Sequence, residues 1–200
     1  MNDLERYNRS LEVERLLFCH IPRTGGASML RLLRDSGWSK SERVTQSHPF
    51  PTYFEHRVQY RELNIKPPKS IAIVRHPMRR LESAFFTGWR AKSPRHMWDM
   101  LKEMQVQTMY TIWNRSIRPA SDLMLEETDV FKYEDGFGSI VNKLQLQGLL
   151  KKVGDVPHFH KSKKPLVNWR EAPQDVIEKV MKVFAEDYYF FKYQLFPEDH

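Results

Sequence analysis

The hydrophobic residues of this chain form short apolar runs that are separated by stretches with helical spacing. Four runs predict β-strands, at residues 16–19, 44–47, 70–74 and 128–133. The first and third runs are apolar almost throughout, which is typical of strands buried on both faces of a parallel sheet. Helices are predicted after the turn at 24–28 as far as Gly37, and at 53–63, 77–90, 92–127, 137–150 and 175–189. This alternation indicates an α/β core with a central, mainly parallel sheet.

Several of the predicted helices carry a hydrophobic face that is expected to point into the core. After Pro77 this face comprises Leu81, Ala84, Phe85 and Trp89, and in the helix from residue 137 it comprises Ile140, Leu144 and Leu149. The segment between them has a stripe of Met97, Trp98, Met100, Leu101 and Met104. Core packing explains this stripe better than a cofactor site does.

The composition is that of one ordinary globular domain. The 200 residues are 40% hydrophobic and 28% charged, and a chain of this length can bury a core. We expect a single domain over residues 1–200, with residues 1–14 as a flexible lead-in. No apolar run suits a membrane span, and the polar start lacks a signal-peptide core. Because Cys19 is the only cysteine, we expect a buried, inert thiol, no disulfide framework and a cytoplasmic protein.

The charge balance favours an anionic partner. Lysine and arginine outnumber the acidic residues by 32 to 25, which gives a net charge of +7. A phosphorylated nucleotide, an acidic glycan or a nucleic acid would suit this balance. The chain has no recognised nucleic-acid motif and no patch of interleaved basic and aromatic residues, so we expect no nucleic-acid partner. Affinity for DNA or RNA that falls steeply with salt concentration would be needed to support a nucleic-acid partner.

The segment after the first strand, I-P-R-T-G-G-A-S at residues 21–28, has the features of an anion-binding loop. Small side chains let the backbone turn sharply, so that its N–H groups can converge at the start of a helix. Arg23 adds a full positive charge. The alternative is a corner in which the glycines only relieve steric crowding. The loop is not that of a P-loop kinase, because no lysine follows the glycines.

A second strand leads into a second helix at Arg75-His76-Pro77. Pro77 is well placed as the first residue of that helix. Arg75 ends the strand and Ser83 lies two helical turns further on, so the two side chains could reach one phosphate. The alternative is a solvated arginine face, in which Arg79 and Arg80 coat the surface.

These two corners resemble the nucleotide-binding motifs of the sulfotransferases that use 3′-phosphoadenosine 5′-phosphosulfate (PAPS), particularly the carbohydrate and Golgi-type branch. The 5′-phosphosulfate loop of that family reads I-P-K-T-G-G-T-S, so Arg23 and Ala27 are departures from it. The family's 3′-phosphate motif, V-R-x-P-x-x-R-x-x-S-x-[YF], stands here as V-R-H-P-M-R-R-L-E-S-A-F. The resemblance implies a three-layer α/β/α fold similar to P-loop NTPases. It also implies transfer of a sulfuryl group from PAPS to a hydroxyl or amine, with a carbohydrate as the acceptor, PAP as the product and no metal.

The resemblance also implies roles for individual residues. The 5′-phosphosulfate would be held by Arg23, Thr24, Gly25, Gly26, Ala27 and Ser28, and the 3′-phosphate by Arg75 and Ser83. Arg80 would have a structural or secondary role. His48, in the segment S-H-P-F-P, would take the acceptor's proton, with a loop histidine bonded to backbone as the alternative. A cationic loop containing Lys161, Ser162 and Lys163 would close over the nucleotide.

The arginine at position 23 bears on whether the protein is catalytically active. A lysine can give a proton to a leaving group, whereas a guanidinium stays charged and offers only hydrogen bonds. We therefore expect a competent but slower enzyme, in which Arg23 and His48 are the catalytic residues. A family member that binds a nucleotide or an acidic glycan without chemistry is the alternative. A nucleotide kinase is a further alternative, which ATP binding that depends on Mg²⁺ would support.

Overall fold

The structure is a computed structural model, and it describes residues 16–38, 44–46, 69–109, 117–124, 127–151 and 167–197. The chain divides into two compact units. The sheet unit comprises Met1–His20, Gly25–Ile73 and Met124–Phe159, and the helical unit comprises Ile21–Thr24, Val74–Leu123 and His160–His200. Each unit therefore draws on three separate segments. The expected lead-in at residues 1–14 and the helix at 53–63 lie outside the described residues.

Four strands in the described residues form one sheet. They are β1 (Leu16–Cys19), β2 (Val44–Gln46), β3 (Lys69–Val74) and β4 (Asp129–Lys132), in the order β2-β1-β3-β4. β1 pairs in parallel with β2 on one side and with β3 on the other. All four predicted strands are confirmed, and so is the α/β class with a mainly parallel sheet.

Seven α-helices lie in the described ranges. They are α1 (Gly26–Asp35), α2 (Pro77–Thr87), α3 (Pro94–Glu103), α4 (Val106–Met109), α5 (Phe137–Leu146), α6 (Gln174–Val183) and α7 (Ala185–Phe190). Among these described helices, none is long and apolar enough to cross a membrane.

The core of the sheet unit lies between the sheet and the helices α1 and α5. Side chains alternate along a strand, so Leu16 and Phe18 of β1 point to the same face. There they pack with Met29 and Leu33 of α1 and with Leu144 of α5. The intervening residues of β1 are buried as well, as expected for a strand covered on both faces.

The core of the helical unit is built from α2, α3, α6 and α7. The predicted inward residues Leu81, Ala84 and Phe85 of α2 are buried, and the methionine stripe of α3 belongs to the same core. Lys179 of α6 donates from Nζ to the carbonyls of Leu101 (2.8 Å), Lys102 (2.6 Å) and Met104 (3.1 Å). This lysine therefore satisfies the last carbonyls of α3, which have no partner within the helix.

Four helical details differ from the prediction. The predicted helical region 92–127 contains α3 and α4, but Met104 between them is extended, with a ψ of 126°. Helix α2 ends at Thr87 before Gly88, so Trp89 lies beyond the helix, where it is 36% exposed and leans on Phe85 at 5.2 Å between ring centroids. Leu149 is buried as expected but follows the end of α5. The predicted terminal helix is broken at Phe184, whose φ of −105° and ψ of 20° separate α6 from α7.

Candidate functional site

The loop after β1 contains two residues in the left-handed region. Arg23 has a φ of 70° and Gly25 has a φ of 83°. Left-handed residues in tight turns let successive backbone N–H groups form a concavity for an anion. The buried Thr24 hydroxyl donates to the Ile21 carbonyl over 2.7 Å, which closes this turn. An arginine rarely adopts this conformation, and such strain is typical of functional sites.

The N-terminus of α1 begins at a glycine and lacks acidic residues. Its N-cap residue is Gly25, no side chain caps the helix, and no acidic residue lies in the first turn. The first intrahelical bond runs from Met29 N to the Gly25 carbonyl over 3.2 Å. The positive end of the helix dipole lies at this terminus. Ala27 is exposed in this turn, whereas Ser28 is buried.

Both glycines of this loop are packed closely. A Cβ atom on Gly25 would lie 3.3 Å from Cε2 of Tyr133 and 3.4 Å from Cε2 of Phe137. A Cβ atom on Gly26 would overlap the imidazole ring of His20. That ring is stacked on Phe18 at 5.9 Å between centroids, with 28° between the ring planes. The glycines therefore allow α1 to begin close against side chains of the same unit.

The second predicted corner lies in the helical unit. Arg75 follows β3 directly, is partly buried, and donates from Nη1 to the Arg23 carbonyl over 3.5 Å. Pro77 is the first residue of α2, as predicted. Ser83 is partly buried on the same helix, about 9 Å along its axis from Pro77. The structure thus brings Arg75 to Arg23, two residues that the sequence assigns to one site.

The Arg23 side chain lies against the C-terminal end of α2. A Cβ atom on Gly88 would be 3.0 Å from Arg23 Nη2 and 3.0 Å from the Ala84 carbonyl oxygen. The last carbonyls of a helix carry partial negative charge, which stabilises a cation placed there. The absence of a side chain at Gly88 leaves room for the guanidinium.

Arg79 and Arg80 do not form the solvated face that was the alternative for this corner. Arg79 is buried and contacts Glu82 Oε2 (3.0 Å) and the Val167 carbonyl (3.3 Å). Arg80 is 0% exposed, with its Nη1 3.6 Å from Asp187 Oδ2. Burial lowers the pKa of the Arg80 guanidinium, and the neighbouring Asp187 carboxylate opposes that shift. The surface-arginine alternative is therefore wrong for both residues.

The sequence model of the sulfotransferase family matches residues 10–194. The chain belongs to the sulfotransferase family. The match includes both the glycine loop and the Arg75 corner, and dependence on PAPS is a general property of this family. A search of curated proteins and a search of solved structures each found no match.

Some of the site predicted for this family member falls outside the described residues. His48, the predicted base, and Lys161, Ser162 and Lys163 of the cationic loop all lie there. In the part of the chain that the structure describes, no group of three or more His, Cys, Asp or Glu side chains is arranged to hold a metal ion.

Sequence reasoning missed His20 and His76. His20 occupies the space above Gly26, and His76 accepts a hydrogen bond from Met78 N as the N-cap of α2. His20 left no sequence signal, because its role depends on the path of the loop. His76 did leave one, since it precedes a proline at the first helical position, where a capping side chain is expected.

We expect Gly26→Ala to lower the free energy of unfolding by about 1–3 kcal/mol, the usual cost of overpacking. Helix propensity alone would favour alanine there, so the sign of the change reports the clash with His20. The double variant His20→Ala, Gly26→Ala should recover most of the loss in urea unfolding. Gly138→Ala is the control, because a Cβ atom on Gly138 meets no atom of the described ranges within 4 Å. Equal stability of Gly26→Ala and Gly138→Ala would refute the packing of His20 on the loop.

Proposed function

We propose that this protein transfers a sulfuryl group from PAPS to an acceptor hydroxyl or amine, and that the acceptor is a carbohydrate. The observation that carries the proposal is the N-terminus of α1, which has no side-chain cap and no acidic residue. It lies in the loop that corresponds to the family's phosphosulfate motif. The I-P-x-T-G-G form of this loop and the net charge of +7 support an anionic sugar as the acceptor.

The loop residues hold the 5′-phosphosulfate in this proposal. The backbone N–H groups of residues 24–28 donate to its oxygens, Ser28 adds a hydroxyl, and the dipole of α1 stabilises the negative charge. Arg75 and Ser83 hold the 3′-phosphate. Catalysis of this kind depends mainly on positioning and on electrostatic stabilisation, as in phosphoryl transfer.

The chemical step is an in-line displacement at sulfur. The acceptor oxygen or nitrogen forms a bond to sulfur while the bond between sulfur and the bridging phosphate oxygen breaks. His48 takes the proton of the acceptor. Arg23 stabilises the charge that develops on the bridging oxygen, and 3′-phosphoadenosine 5′-phosphate (PAP) leaves. No metal is needed in this scheme, since the arginines and the helix dipole supply positive charge.

We expect Arg23→Lys to raise kcat about tenfold, because an ammonium group can give a proton to the leaving oxygen and a guanidinium cannot. The conservative change Arg31→Lys, at an exposed position of α1, should leave kcat unchanged. Turnover is measured with saturating donor and acceptor. If Arg23→Lys has unchanged or lower turnover, the arginine is matched to its position beside Gly88 and does not limit the rate.

The second candidate function is binding of a nucleotide or an acidic glycan without chemistry. Arg23 in place of the family's lysine is the observation in its favour. Incubation with PAPS labelled in the sulfuryl group, together with a panel of acidic glycans, neutral sugars and phenols, separates the two functions. Label transferred to a glycan supports the proposal. Tight PAP binding with no transfer to any acceptor supports the binding protein.

A further inference from the structure

His76 links Arg75 to the C-terminal segment of the chain. It is the N-cap of α2 and is 3% exposed. Its Nδ1 accepts the N–H of Met78 over 3.2 Å, and its Nε2 lies 3.0 Å from the carbonyl oxygen of Gln194. One ring therefore joins the start of α2 to a residue far along the chain.

The two partners determine the protonation state of this ring. A carbonyl oxygen only accepts, so Nε2 must carry the hydrogen, and a backbone N–H only donates, so Nδ1 must present its lone pair. His76 is thus the neutral Nε2–H tautomer, with both nitrogens engaged. A ring rotated or protonated differently would lose one of the two hydrogen bonds.

Aromatic rings enclose His76 and hold the segment that supplies its carbonyl partner. The ring centroids of Tyr188 and Tyr193 lie 5.5 Å and 5.1 Å from that of His76. The Tyr188 hydroxyl donates to the Leu195 carbonyl over 3.4 Å. Burial, and secondarily Asp187, raise the pKa of Tyr188, so this hydroxyl stays protonated.

A second contact holds the same segment further along. The Arg170 guanidinium lies over the Phe196 ring at 4.9 Å from its centroid. Leu195 and Phe196, which directly follow Gln194, are therefore each contacted by a side chain of the helical unit. These contacts help to position the Gln194 carbonyl that orients His76.

We propose that His76 is a positioning residue for Arg75, and that residues 191–197 act through it to set selectivity for the 3′-phosphate of the nucleotide. The proposal rests on the proposed function, in which Arg75 binds that phosphate. Pro77 restricts the residue before it to extended backbone, and the two hydrogen bonds further hold His76 at a φ of −45° and a ψ of 127°. Together they set the direction in which the chain leaves Arg75. A guanidinium holds a phosphate through directional, often bidentate hydrogen bonds, so the strength of this contact depends on such placement.

The test measures the ratio of the Kd for ADP to the Kd for PAP by calorimetric titration, because this ratio reports the contribution of the 3′-phosphate alone. His76→Asn should keep the helix cap, since asparagine is a good N-cap residue. Its shorter side chain cannot reach the Gln194 carbonyl. We expect the ratio to fall about tenfold in His76→Asn, with the ADP affinity unchanged. Arg170 is exposed, and Arg170→Ala leaves the His76 side chain unchanged. This variant should lower the ratio of the two Kd values a few-fold.

Ser93→Ala is the matched control. Ser93 caps α3 by accepting the N–H of His96 over 3.1 Å, so its loss removes a helix cap from the same unit. The melting temperature should fall while the ratio stays at the wild-type value, which separates positioning from lost stability.

The outcomes distinguish this inference from the proposed function. If the wild-type protein binds PAP and ADP equally, the assignment of Arg75 to the 3′-phosphate fails and the inference fails with it. If the wild type prefers PAP to ADP, and both His76→Asn and Arg170→Ala keep the same ratio of the two Kd values, the inference alone is overturned.

Discussion

Asp187→Asn lowers the free energy of unfolding by about 3–5 kcal/mol, the usual cost of removing one partner from a buried ion pair. The Arg80 guanidinium is 0% exposed, and none of its three nitrogens has a hydrogen-bond partner among the described residues. The Asp187 carboxylate is thus the charge that compensates it, at 3.6 Å. The same carboxylate accepts the N–H groups of Ala120 and Ser121, each over 2.8 Å. Urea unfolding measures the effect.

The double variant Arg80→Met, Asp187→Asn should recover at least half of that loss, because it removes the buried cation together with its partner. Asp175→Asn is the control. Asp175 pairs with Lys102 at 3.3 Å, but its side chain is 63% exposed, so its loss should cost less than about 1 kcal/mol. A cost for Asp187→Asn no larger than that for Asp175→Asn would show that the buried pair contributes nothing to stability.

Arg75→Ala weakens PAP binding by about 10- to 100-fold and leaves ADP binding nearly unchanged. Hydrogen bonds to charged groups contribute about 1.5–3 kcal/mol each, and the variant removes those that we propose between the guanidinium and the 3′-phosphate. The PAP affinity of Arg75→Lys should lie between those of Arg75→Ala and the wild type, because lysine keeps the charge but lacks the planar fork of the guanidinium. Ser83→Ala should have a smaller effect, since a neutral hydroxyl donates a weaker bond. Fluorescence or calorimetric titration gives the affinities.

Arg95→Ala is the control for this series, because Arg95 is an exposed arginine on α3 of the same unit. A general effect of net charge would weaken PAP binding equally in both alanine variants. That result would remove Arg75 from the phosphate site. Equal losses of PAP and ADP affinity in Arg75→Ala would place the arginine near the part that the two nucleotides share.

The strands and the two strand-to-helix corners could be predicted because their signals are local. β1 and β3 are short apolar runs, and each is followed within a few residues by glycines or by a proline at a helix start. Gly37, predicted to close α1, adopts the left-handed φ of 92° that such a helix end requires. These features depend on neighbouring residues alone, so the pattern of the sequence contains them.

The contacts that could not be predicted are those between residues distant along the chain. Arg79 and Arg80 are of a residue type that is usually exposed. They are buried because Val167 and Asp187, which are distant along the chain, pack against them. The contact between the His76 ring and the Gln194 carbonyl, at 3.0 Å, joins residues far apart in sequence, and nothing local reveals it. The end of α2 at Gly88 was missed for another reason, since the apolar Trp89 continued the helical pattern beyond a helix-terminating glycine.

The donor assignment is tested most directly by calorimetric titration of the wild-type protein with PAP and, in parallel, with ADP. The proposed use of PAPS predicts tight PAP binding, with ADP at least about tenfold weaker because it lacks the 3′-phosphate. Weak and equal binding of the two nucleotides would contradict the use of PAPS by this protein.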